Sequence, residues 1–71
     1  MTSTLQQEIL RKLTSVCELS PNVRLGQIMS HLDFLSQDTF GLGLGDIEDD
    51  QLLRVLERHE AELLRRHSNV A

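Results

Sequence analysis

Asp46, Glu48, Asp50 and Glu57 occupy the ligand register of a helix-loop-helix calcium loop, in which carboxylates wrap a hard cation in oxygen. The loop also needs a glycine for its sharp turn. Gln51 stands there instead, and the segment carries the apolar rhythm of a helix, so the acids read as a helix start. Gly41, Gly43 and Gly45 precede that start, as in a loop whose backbone amides cradle a phosphate. No lysine follows and no strand precedes them, and the carboxylates just downstream would oppose an anion. The glycines therefore read as a connector. His59 and Glu62 lie one turn apart, and His31 and His67 complete the histidines open to a metal or to general-base chemistry. Their spacing forms no recognised ligand set of the His-Glu-x-x-His kind, and Cys17 lacks the signature of a nucleophile. The expectation is a chain with no catalytic residue, no metal ligand and no cofactor, its histidines at surface or boundary positions.

Composition narrows the partners. The chain has 71 residues, enough for one core and too few for two. With 39% hydrophobic and 25% charged residues it should fold. Phe34 and Phe40 are the only aromatics, so the core must be aliphatic. A net charge of -4 repels a phosphate backbone, which argues against nucleic acid. The lone Cys17 permits no internal disulfide and fits a reducing compartment, with the cytoplasm as the simplest location. No signal-like segment or membrane-spanning apolar run occurs.

Three amphipathic segments must position whatever these residues do, giving an all-α, small three-helix bundle with a Gly-rich loop between helices 2 and 3. Leu5, Ile9, Leu10, Leu13, Val16 and Cys17 recur at helical spacing over residues 4–19, between a Ser3 or Thr4 cap and the Ser20-Pro21 stop. Leu25, Ile28, Met29, Leu32 and Leu35 mark a second helix over about 23–36, capped by Asn22, with Gly26 read as a point of close helix packing. Phe40, Leu42 and Leu44 alternate with glycine in the connector and are expected to fold back onto the core. Leu52, Leu53, Leu56, Leu63 and Leu64 define a third helix over about 48–67. Its acids lie at the start and Arg65, Arg66 and His67 at the end, matching the helix dipole, with Asp50 to Arg54 and Glu62 to Arg66 as one-turn charge pairs. This helix is the longest, so its end is expected to project beyond the bundle.

The small acidic helical character superficially resembles acyl carrier proteins, but residues 41–52 contain no serine to carry a phosphopantetheine arm, which excludes that role. Arg24-Leu25-Gly26-Gln27, followed by Ile47-Glu48-Asp49-Asp50-Gln51-Leu52, resembles a class of short bacterial open reading frames that pair an Arg-Leu-Gly-Gln segment with an Ile-Glu-Asp-x-x-Leu segment. The likeness covers residues 24 to about 56 and implies a bacterial source without implying an activity.

Two placements are unusual for a passive core. Glu60 falls within the apolar stripe of the third helix, where a carboxylate needs water or a cation, and Arg24 is the expected structural partner. Phe34 projects opposite Leu25 and Leu32, which leaves a large ring in water unless the helix ends earlier or another surface covers it. Together these features point to a noncatalytic interaction module that binds a protein partner or itself, a homodimer included. Its candidate interface is Phe34, Leu42, Leu44, Val55 and Leu64. The alternative is a metal- or ligand-dependent protein using the acids of residues 46–50 or the histidines.

Overall fold

Ser3 caps the first helix as its residue type predicts. Its hydroxyl accepts the Gln6 backbone N–H at 3.1 Å, while the Gln6 side-chain oxygen accepts the Ser3 N–H at 3.4 Å. In this computed structural model, which describes residues 2–68, α1 then runs Thr4–Leu19, the bounds expected from periodicity. Met1 and residues 69–71, included in the single-domain reading of 1–71, lie outside the described residues.

α2 runs Leu25–Phe40, later and longer than expected. Arg24, not Asn22, is the N-cap, and the Gln27 side-chain oxygen accepts its backbone N–H at 3.2 Å. Polar residues after Leu35 look like a break in sequence, but Ser36 and Phe40 continue the Leu32 edge one and two turns later. Ser36 is fully buried, and its hydroxyl donates to the Leu42 carbonyl at 2.6 Å, so a small satisfied polar residue keeps the helix going. Gly41, with φ of 72°, ends it in the left-handed conformation.

Asp33 then organises the connector. Its carboxylate accepts the Leu44 N–H at 2.7 Å and the Gln37 side-chain amide at 2.8 Å, holding a short 3-10 turn, Leu44–Asp46, beside α2. The expected return to the core is met by Phe40 and Leu44, whereas Leu42 stays 44% exposed. α3 follows over Asp49–Ser68, with acids in its first turn and Arg65, Arg66 and His67 in its last.

The tertiary contacts fix the helix directions. Lys12 bonds Glu60 and Leu19 contacts His67, each pair 48 residues apart, so α1 and α3 run parallel. α2 packs on α3 and runs antiparallel to it, since its late residues Asp38 and Thr39 meet Arg58 while its earlier His31 meets His59. This up-down-up bundle encloses Ile9 and Val16 from α1, Ile28, Leu32 and Leu35 from α2, and Val55, Leu56 and Leu63 from α3. Among the described residues no strand occurs, and no helix is long and apolar enough to cross a membrane.

Two sequence expectations about packing fail. Gly26 has nothing within 4 Å of the position a Cβ would take, so it marks no close approach. The end of α3 is tied down, because the His67 Nε2 lies 3.1 Å from the Leu19 carbonyl, an oxygen that the end of α1 would otherwise leave without a helical donor.

Candidate functional site

The middle of α3 departs most from a passive helix. Val55 and Leu63 flank His59 by one turn on either side, so His59 sits in the centre of the buried stripe and is only 6% exposed. It is neither a surface nor a boundary residue. His31 of α2 faces it with ring centroids 4.6 Å apart and planes inclined at 57°. Glu62, one turn on, brings Oε2 to 4.0 Å from His59 Nδ1, too long for a hydrogen bond.

Nδ1 of His59 is fully buried and has no hydrogen-bond partner among the described residues. Leaving such an atom unsatisfied costs about 1–3 kcal/mol, so native structures seldom tolerate one without a reason. Burial pushes the His59 imidazole below its ordinary pKa, and repulsion from His31 adds to the shift. A buried neutral imidazole keeps a lone pair available.

The surroundings hold this arrangement. Arg58 approaches Oε1 of Glu62 at 3.6 Å and also bonds Asp38 and Thr39 of α2, at 3.1 and 2.7 Å. Glu62 thus sits 3.6 Å from Arg58, where sequence spacing offered Arg66. Phe34 stacks on His31 with ring centroids 6.3 Å apart. Beside the two imidazoles lies a half-open pocket of about 190 Å³, whose lining also includes Gln27, Leu63 and Arg66.

The expected interface residues separate. Phe34 is 63% exposed and Leu64 49%, Leu42 is exposed, Leu44 packs partly against the core, and Val55 is buried at 1%. Val55 therefore contributes to the interior and not to a surface. Its place beside His59 on the buried stripe, one turn before that residue, explains the difference. Glu60 does find a cation, but it is Lys12 at 2.9 Å and not Arg24, which caps α2. The parallel α1–α3 packing puts Lys12 and Ser15 against Glu60; the Ser15 hydroxyl and then Lys12 hold the carboxyl below its usual range.

The acidic segment stays outside any cluster of this kind. Asp49 begins α3, so Asp50 and Glu57 are spread along a helix and cannot wrap an ion with Asp46 and Glu48 as a calcium loop would. Sequence reasoning named His59 but put it at a surface or boundary position and so missed its burial. Its signal was present in its spacing to Val55 and Leu63, but the partner on α2 was not. No family model, curated protein or solved structure matches the chain.

Proposed function

We propose that this chain is a noncatalytic helical interaction module that self-associates through α2. The observation that supports it is the exposure of large apolar side chains on both flanks of that helix. Phe34 is 63% exposed on one flank, and Leu25 and Met29, one turn apart, are 56% and 37% exposed on the other. A core of aliphatic residues with no disulfide offers a domain of this size only a few kcal/mol, and burial between copies supplements it. The lone Cys17 fits a reducing compartment, and the acidic balance disfavours nucleic acid.

Light scattering on the eluting protein tests the reading. The expected mass is twice the 8.1 kDa of one chain at high concentration. Added salt should strengthen association, because two copies each carrying -4 repel one another. Phe34→Ser, or Leu25→Ser with Met29→Ser, should return the protein to one chain, and whichever does so identifies the flank. A mass of 8.1 kDa at every concentration refutes self-association.

A further inference from the structure

We propose that His31, His59 and Glu62 bind one divalent transition-metal ion of the zinc class, with α2 supplying one ligand and α3 two.

One ligand atom from each residue lies within 4.8 Å of the others. Zinc held at about 2.0–2.1 Å by nitrogen and oxygen places tetrahedral ligand atoms about 3.3 Å apart. Closing the observed spacing therefore takes a shift of at most about 1.5 Å, within reach of side-chain rotation. Two imidazoles and one carboxylate suit zinc, cobalt or nickel, and are too few and too nitrogen-rich for calcium or magnesium. An independent observation points the same way. His59 is 6% exposed, its Nδ1 is buried without a hydrogen-bond partner among the described residues, and that atom lies 4.0 Å from Oε2 of Glu62. A metal would use the lone pair that no protein donor satisfies.

The supporting groups are those a metal site uses. Arg58 holds Glu62 from the side of Oε1, leaving Oε2 toward His59. Arg58 is in turn anchored on Asp38 and Thr39, so this positioning residue ties the ligand helix to α2. Phe34 covers one face of His31. Three protein ligands leave a fourth coordination position for water or an added ligand, and the pocket beside His31 and His59 gives it room. Spacing along the chain cannot show this set, because His31 and His59 belong to different helices.

Calorimetric titration of the full chain with zinc sulfate, after treatment with a chelator, is the direct test. The expected result is one ion per chain with a rise in melting temperature, and a visible absorption band when cobalt replaces zinc. His31→Gln and Glu62→Gln, both at partly exposed positions, should each weaken zinc binding by at least about tenfold, and Arg58→Gln by about tenfold through Glu62. His67→Gln, and Asp46→Asn with Asp50→Asn, should leave it unchanged. Circular dichroism confirms that each variant folds; His59→Gln serves as a second ligand test if either fails to. The proposal is overturned by the absence of zinc binding to the wild type, by full affinity in the folded His31 and Glu62 variants, or by loss of binding in the Asp46 and Asp50 variant. Mass measurements with and without zinc separate this from self-association: one ion bound to a single chain supports the site while refuting the dimer.

Discussion

Replacing His59 with leucine should stabilise the metal-free protein. The imidazole is 6% exposed and its Nδ1 has no hydrogen-bond partner among the described residues, so an apolar side chain of similar size removes an orphaned polar atom worth about 2 kcal/mol at mid-range. Loss of the inclined contact with His31, centroids 4.6 Å apart, returns about 1 kcal/mol of that. The net gain of about 1 kcal/mol corresponds to a rise of about 4–8 °C in melting temperature for a domain of this size. Acid should widen the difference. The folded pKa of His59 lies below the ordinary 6.5, because burial, His31 and Arg66 oppose its charge more than Glu62 favours it. Around and below 6.5 the unfolded chain therefore takes up more protons than the fold does. Wild-type stability is complete above that value and falls as pH drops toward the lowered pKa, whereas the leucine variant lacks this contribution. Thermal unfolding followed by circular dichroism, in chelator and at pH values on both sides of 6.5, measures both effects. An unchanged or lower melting temperature in the variant, together with an unchanged acid slope, would refute the claim that Nδ1 is an unmet buried group.

The remaining predictions concern the frame around the site. Leu56→Ala, at a side chain 1% exposed, should cost about 2–5 kcal/mol, comparable to the whole stability of so small a domain, and denaturant melts should show a largely unfolded chain. Gly41→Ala forces a Cβ into a φ of 72° and should cost about 1 kcal/mol even though the surrounding space is open, read as a lower denaturation midpoint with unchanged slope. Glu60→Gln should lower the melting temperature near neutrality. That difference should fade as pH falls below 4.5 through the lowered folded pKa of Glu60, because its contribution exists only while the carboxylate is charged.

Much of the fold was legible because helix formation is local. The Ser3 cap, the Pro21 stop and the apolar rhythm of α1 lie within a few residues of what they control, and the bounds Thr4–Leu19 follow from them. α2 was harder. Its extension to Phe40 depends on Ser36 finding the Leu42 carbonyl, a bond that exists only after the chain turns back at Gly41. The stripe of α3 was also readable, and His59 belonged to it by spacing alone. Charge pairing was not. Glu60 was legible as a carboxylate in need of a cation, but the choice of Lys12 over Arg24 required the parallel register of α1 and α3.

By itself the sequence determined that three helices form, the bounds of the first and that the interior is aliphatic, since residues one turn apart share a face whatever the rest of the chain does. Only the tertiary structure decided that His31 meets His59 and Glu62, that Val55 is interior while Phe34 faces water, and that the end of α3 is fastened to α1. These outcomes depend on helix direction and rotation about the bundle axis, which are set by how all three stripes fill one volume together. No short stretch of residues carries that information.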